Sequence, residues 1–301
     1  MGSYQSNTSS EIGYSSNRVQ FEDDWFAQGA ARRAYRGKYC AGPKEGQLCV
    51  VKLYKEEWCS HLNELAWKAD TRASEKAQEM AVAFNRDRPT SKPIKFVIPD
   101  ITNVDTSSGF NLLWFIPIAS NVKGKLAGTA ESSAEMVPKG ASIAIEEYLR
   151  GEFTKFNSNS SYVNHDVGAY GPGAFSHYTY HKSRGTLLIS DIQWIRQADG
   201  YHFTDPAVQS VEGVSSYGAT DLGVFGIIKF FQNHHCNDLC RGFSKPDLSK
   251  IPRDALADVN RLLQAIKQRH SSTYTYELQR AGVPDHRMRQ LQMRIPQAIA
   301  E

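Results

Sequence analysis

Tyr217-Gly-Ala-Thr-Asp-Leu-Gly-Val-Phe-Gly-Ile-Ile-Lys-Phe-Phe-Gln-Asn-His-His-Cys-Asn-Asp-Leu-Cys240 is the stretch on which the reading of this chain turns. Its start is glycine-rich and opens a helix, where backbone amides can meet an anion. A tight turn capped by Asp221 is the plainer alternative. In its middle, Leu222, Phe225, Ile228 and Phe231 recur every three residues, which predicts an amphipathic helix over 221–235. Its end offers His234, His235, Cys236 and Cys240, the nitrogen and sulfur donors that zinc prefers. Cys236 and Cys240 share a helical face. His234 and Cys236 can ligate together only if the helix stops near Asn233. The fourth ligand must come from elsewhere, and His177 in Phe175-Ser-His-Tyr-Thr-Tyr180 is the candidate. Spacing alone does not separate His234 from His235, and a helix end with two free thiols and surface histidines stays open.

Upstream, Thr186 to Trp194 is an apolar run with the pattern of a buried strand. Alternation along it puts Asp191 and Gln193 on one face, a carboxylate and an amide oxygen suited to a hard cation. Asp205 follows in Phe203-Thr-Asp-Pro206, a turn sequence. Further back, Arg32 to Tyr39 and Gln47 to Tyr54 predict a β-hairpin. Lys52 is the lone cation of the second strand, in Cys49-Val-Val-Lys-Leu-Tyr54. Leu62 to Phe84 has no Gly or Pro and predicts a long helix, closed by Pro89 and Pro93. Ile94 to Ile98, Leu112 to Ile118 and Ser142 to Tyr148 read as strands, and Asn121 to Gly140 as a surface insertion. Downstream, 254–268 and 285–295 read as helices. The segments divide into a disordered Ser-rich start at 1–17, a mostly β lobe at 18–150, a second lobe at 151–245 and a helical extension at 246–301.

Bulk properties narrow the function classes. The 301 residues are 41% hydrophobic and 22% charged, which supports a sizeable core. A net charge of +3 argues against a dedicated nucleic-acid binder. No apolar run is long enough to span a membrane. The polar N-terminus carries no secretory signal, and five cysteines without one point to a reducing, cytoplasmic setting. Met1-Gly2-Ser3-Tyr4-Gln5-Ser6 fits the short myristoylation pattern, which also arises by chance. No Walker A motif and no conventional His-Arg-Asp or Asp-Phe-Gly kinase motif is present.

Taken in order, these segments resemble the alpha-kinase family of atypical protein kinases, to which myosin heavy chain kinases, elongation factor 2 kinase and channel-fused kinases belong. The resemblance rests on Phe26-Ala-Gln-Gly-Ala-Ala-Arg-Arg-Ala-Tyr35, the Lys52 strand and Ala81-Val-Ala-Phe-Asn85. It continues through Ile145-Glu-Glu-Tyr-Leu-Arg-Gly-Glu-Phe-Thr-Lys-Phe-Asn-Ser-Asn159, Ala174-Phe-Ser-His-Tyr178, Asp191-Ile-Gln193, Thr204-Asp-Pro206 and Gly218 through Cys240. It implies an α+β, two-lobed atypical protein-kinase fold, with a mostly β N-lobe carrying one long helix and a zinc-containing C-lobe. It implies a Ser/Thr protein kinase that uses ATP and Mg²⁺ on a protein substrate, with a structural Zn²⁺. By the same resemblance Lys52 and Arg32 meet the ATP phosphates, Glu146 lies at the adenine hinge, Asp191 and Gln193 hold Mg²⁺, and Asp205 is catalytic. His177, His234, Cys236 and Cys240 form the zinc set; the spacing 234 − 177 = 57 agrees with the family and selects His234. The chain departs from the family at Trp194, where Gly is usual, at Glu147, where Pro is common, and in a longer stretch from Ile195 to Phe203. None of these removes a chemical group. A pseudokinase, or a zinc-stabilised module that binds nucleotide without turnover, is the alternative.

Overall fold

The computed structural model describes residues 3–10, 13–28, 32–55, 64–106, 110–112, 116–118, 137, 140–150, 153–158, 162–164, 170–197, 200–212, 216–218, 220–251, 253–254, 256–257 and 261. Two compact units emerge, one of residues 1–67 with 99–148 and the other of 68–98 with 149–301. The insertion at 121–140 lies almost wholly outside the described residues, as do most of the helix expected at 254–268 and all of that at 285–295.

The first unit is a curled sheet. Strands β1 (Ser3–Ser10), β2 (Gly13–Gln28), β3 (Arg32–Ala41) and β4 (Leu48–Tyr54) are followed in it by β6 (Asp100–Thr106) and β9 (Ser142–Glu147). They close in the order β1-β2-β3-β4-β9-β6. A small separate ladder pairs β7 (Phe110–Leu112) with β8 (Ile116–Ile118). The residues between those two strands lie outside the described set, so the expected single strand at 112–118 is described only as two short pieces. Period-two alternation sorts the barrel's two faces. Val19, Phe21, Tyr35, Tyr39, Cys49, Val51, Ile143 and Ile145 are buried together inside. Lys52, paired across the sheet with Ala34 and Ala144, belongs to the opposite face. Gly37 must be small, because a Cβ there would come within 2.7 Å of Cys49 Sγ. The Ser-rich start, read as disorder, is instead strand β1, paired antiparallel to β2 and to β6. Backbone hydrogen bonds on both edges hold it, and those are blind to side-chain hydrophobicity.

The second unit is built on helix α1 (Glu64–Asp87), which crosses into it from Lys68 onward. The reading by sequence grouped this helix with the first half of the chain. Its Ala73, Ala77, Met80, Ala81 and Phe84 instead pack with Phe96, Phe156, Phe175 and Phe203. Phe84 meets Phe175 edge-on at 5.7 Å. Polar side chains of α1 cap the free edge of β5 (Ile94–Phe96): Asn85 Oδ1 accepts from Ile94 N at 2.9 Å and Gln78 Oε1 from Phe96 N at 2.7 Å. A covered edge cannot pair with another chain. On its other side β5 lies parallel to β13 (Gly200–Thr204), in a sheet ordered β10-β12-β13-β5 with β10 (Phe153–Lys155) and β12 (Gln193–Gln197). Strands β11 (Leu187–Ser190) and β14 (Ala207–Ser210) form a separate ladder. Helices α2 (Tyr170–Lys182) and α3 (Val224–Asn233) complete the unit.

Candidate active site and metal site

The first unit brings Lys52 and Glu146 together. Lys52 Nζ donates to both carboxylate oxygens at 2.7 Å, and both side chains are buried. Register explains the meeting: Val50 pairs with Glu146 and Lys52 with Ala144, so the two charged residues are diagonal neighbours on one face. Arg32 opposes Tyr54 on the same face. Its guanidinium lies 5.8 Å from the Tyr54 ring and 5.9 Å from the Trp67 ring. Trp67 is itself fixed by an Nε1–H bond to the Ser142 carbonyl at 3.0 Å.

In the second unit, three non-glycine residues among those described have positive φ: Arg184, Asp191 and Asp205. Left-handed backbone at such residues costs of order 1–3 kcal/mol each, and an observed outlier of this kind is a pointer to function. The topology explains where the two aspartates fall. The chain leaves β11 through Asp191-Ile192 to enter β12, and leaves β13 through Asp205-Pro206 to enter β14. Ser190 pairs with Ala207 on one side of this break, and Gln193 with Thr204 on the other. The two aspartates therefore occupy facing crossovers between the same two ladders. Asp191 was expected within a continuous strand, with its face set by alternation; the change of partner strand interrupts that strand, so the alternation argument does not apply. The kink is locked by Asn157, whose Oδ1 accepts from Ile192 N at 3.0 Å, while Phe156 N donates to the Ile192 carbonyl at 2.8 Å. Asp191 Oδ1 lies 2.6 Å from Lys155 Nζ, and Lys155 is the cross-strand partner of Gln193. Lys155 escaped the sequence reading as a site residue. Its register opposite Gln193 is a tertiary fact that no local spacing carries.

The His/Cys cluster is assembled from three pieces. His177 comes from α2, which is buried along most of its length. Helix α3 ends at Asn233, and His234 follows in extended conformation, the condition that joint ligation by His234 and Cys236 demands. Asn237 caps the short turn Asp238–Cys240 by accepting from Leu239 N, and its Nδ2 donates to the Tyr170 carbonyl at the start of α2. One ligand atom from each of His177, His234, Cys236 and Cys240 lies within 4.8 Å of the others. Cys236 Sγ is 3.6 Å from His177 Nδ1, and Cys240 Sγ is 3.6 Å from His234 Nε2. Tetrahedral zinc, with bonds of about 2.3 Å to sulfur and 2.0–2.1 Å to nitrogen, calls for S···N edges of about 3.6 Å. The donor set thus fits zinc in type and spacing. His177 Nε2 lies 3.1 Å from the Ser244 carbonyl, which orients the ring with Nδ1 toward the thiols, the usual outer-layer arrangement for a ligating histidine. Burial pushes the Cys240 thiol up to about 11 and holds the His177 imidazole below its ordinary value. His235, the open alternative on spacing, is exposed and outside the cluster.

The alpha-kinase family model matches residues 27–240. Mouse eukaryotic elongation factor 2 kinase is 38% identical over 125 residues, 41% of this chain and 17% of that protein. This chain therefore aligns with well under a third of that relative's length. The alpha-kinase domain of myosin-II heavy chain kinase A in complex with AMP-PNP superposes with a TM-score of 0.59 at 25% identity, covering 79% of this chain and 92% of that one. A second structure of the same domain contains a phosphorylated aspartate; its TM-score is 0.58 at 25% identity, over 79% of this chain and 94% of that one.

Proposed function

The chain belongs to the alpha-kinase family, and from that premise we propose that it is a protein kinase transferring the γ-phosphoryl group of ATP to Ser or Thr hydroxyls of a protein substrate. The observation that carries this reading is the pair of left-handed aspartates, Asp191 and Asp205, in facing crossovers. Phosphoryl transfer passes through a loose transition state, so the protein's task is to position groups and stabilise charge. In this reading Lys52 and Arg32 bind the nucleotide phosphates, and the segment at Glu146 meets the adenine. Asp191 and Gln193 would hold a magnesium ion, which would neutralise phosphate charge. Asp205 accepts the proton of the attacking hydroxyl while the oxygen bonds phosphorus and ADP leaves. Alternatively, its carboxylate takes the phosphoryl group first and passes it on; the phosphorylated aspartate in the myosin heavy chain kinase A domain lends support to that route. The zinc set His177, His234, Cys236 and Cys240 has a structural role. All four positions go to protein ligands, leaving none open for a substrate.

Among the described residues no helix is long and apolar enough to cross a membrane. The described cysteines Cys40, Cys49, Cys236 and Cys240 are not joined in disulfides, which suits the proposed cytoplasmic, reducing location.

The Lys52–Glu146 pair offers a test that separates binding from folding. Lys52→Ala is expected to abolish transfer and also to strand a buried carboxylate, at a stability cost of about 3–5 kcal/mol. Adding Glu146→Gln removes the stranded charge. Chemical denaturation of the double variant should show most of that stability restored, with transfer still absent. Recovery of transfer in the double variant would mean that Lys52 serves only to neutralise Glu146.

A further inference from the structure

Left-handed backbone at Asp191 and Asp205 is costly and persists only where the surrounding structure over-determines it. One brace is the Asn157 bond to Ile192 N, on the C-terminal side of Asp191. A second lies on the other side and has no part in the mechanism above. Gln209, the third residue of β14, is fully buried. Its Oε1 accepts from Leu222 N at 2.6 Å. A backbone N–H can only donate, so this bond fixes which way round the amide lies. Both hydrogens of Nε2 are then committed, one to Ser190 Oγ at 3.1 Å and one to the Thr220 carbonyl at 3.3 Å. Ser190 Oγ, which accepts from Gln209, donates onward to the Ala207 carbonyl at 3.5 Å. Ser190 directly precedes Asp191, and Ala207 lies two residues after Asp205.

A glycine keeps room for this amide. A Cβ on Gly226, in the first turn of α3, would collide with Oε1, Cδ and Cγ of Gln209. Gly226 lies inside a helix, where glycine is a poor choice on propensity alone. The close approach of the Gln209 side chain is what calls for it.

We infer that Gln209 is a positioning residue. Its amide fastens the strand ends that carry Asp191 and Asp205 to each other and to the turn at Thr220–Leu222, so that the two carboxylates keep one arrangement. The bearing of this on phosphoryl transfer rests on the kinase reading above. If Gln209 served stability alone, its loss would lower the melting temperature and leave the kcat and Mg²⁺ requirement of the folded protein unchanged.

Three variants disturb the brace in different ways. Gln209→Met keeps most of the volume and removes the donors and the acceptor. Ser190→Ala removes only the hydroxyl between Gln209 and Ala207. Gly226→Ala leaves the amide intact and displaces it; alanine favours the helix itself, so a loss there points to the displaced amide. In each, kcat should fall, by about ten- to a hundredfold for Gln209→Met, the scale on which small misplacements act. The Mg²⁺ concentration for half-maximal rate should rise, and KM for a basic protein acceptor should stay unchanged. Adding Ser190→Ala to Gln209→Met should cost little more, because both break one chain of bonds. Asn85→Ala, which uncaps β5, is the control for lost stability and should lower Tm with kcat unchanged. Normal kcat and Mg²⁺ requirement in Gln209→Met, or fully additive losses in the double variant, would overturn the proposal. Should Gln209→Met fail to fold, Ser190→Ala decides by the same two quantities. Calorimetric ATP binding at graded Mg²⁺ gives a readout that needs no transfer. If the wild type binds ATP with Mg²⁺ but transfers nothing, the kinase reading fails, and a raised Mg²⁺ requirement for binding in the variants still upholds the role of Gln209. An unchanged requirement there, or no Mg²⁺-dependent ATP binding by the wild type, would overturn it.

Discussion

Removal of zinc is expected to unfold the second unit. A chelator strong enough to strip the His177–His234–Cys236–Cys240 site should abolish its cooperative thermal transition, and His177→Ala should yield little soluble protein. Structural zinc binding in small sites is worth about 10–16 kcal/mol. A whole domain is stable by only about 5–15 kcal/mol, so a loss of that size exceeds the margin. The site also joins α2, the end of α3 and the turn that follows it, so its loss frees three elements at once. Metal analysis should find one zinc per chain, and re-addition should restore the transition. Well-folded protein without zinc, melting at the same temperature, would remove the structural metal from the account.

Asp205→Asn is expected to retain zinc, fold and ATP affinity while transfer falls about 10²–10⁴-fold, the range a positioned proton acceptor supplies. Asparagine is the right replacement because Asp205 has φ +52°. Asn, like Asp, tolerates the left-handed region, whereas a bulky or β-branched side chain would add strain. Asp191→Asn, at φ +59°, should instead weaken Mg²⁺ dependence and nucleotide binding together. Full activity in Asp205→Asn would falsify the assignment and move the chemistry to Asp191. A labelled intermediate sensitive to hydroxylamine, and missing in the variant, would favour the route through a phosphorylated aspartate.

Local signals carried much of this architecture, and their failures have a common cause. Helix α1 was read at 62–84 and spans Glu64–Asp87, because a run without Gly or Pro and a closing Pro are marks legible along the chain itself. The β3–β4 hairpin was legible from the Gly- and Pro-bearing turn between its strands, whereas α3, read over 221–235, spans Val224–Asn233, and its stop at Asn233 entered the reading only as a condition for zinc ligation. Helix α2 left no such mark. It is buried from Ala174 through Tyr180, and a helix covered on nearly all sides has no polar face to set a period. Strands β13 and β14 were missed because each is short and the chain changes sheet between them at Asp205. That change of partner also produces the kink at Asp191, which no alternation within one strand could foretell. The residues proposed for the site were chosen by type and by family resemblance. Lys155 was not, since its place opposite Gln193 comes from register, and Asp221 was read only as the cap of a tight turn, a role its bonds to Tyr217 N and Gly223 N match.

Incubation of the purified chain with γ-labelled ATP, Mg²⁺, a generic basic protein and a panel of Ser- and Thr-containing peptides tests the central claim most directly. The account predicts label on serine or threonine of the added protein or peptides, dependent on Mg²⁺, and lost in Asp205→Asn. Saturable ATP binding with no label transferred to any acceptor would contradict it, and would point to a nucleotide-binding module without turnover.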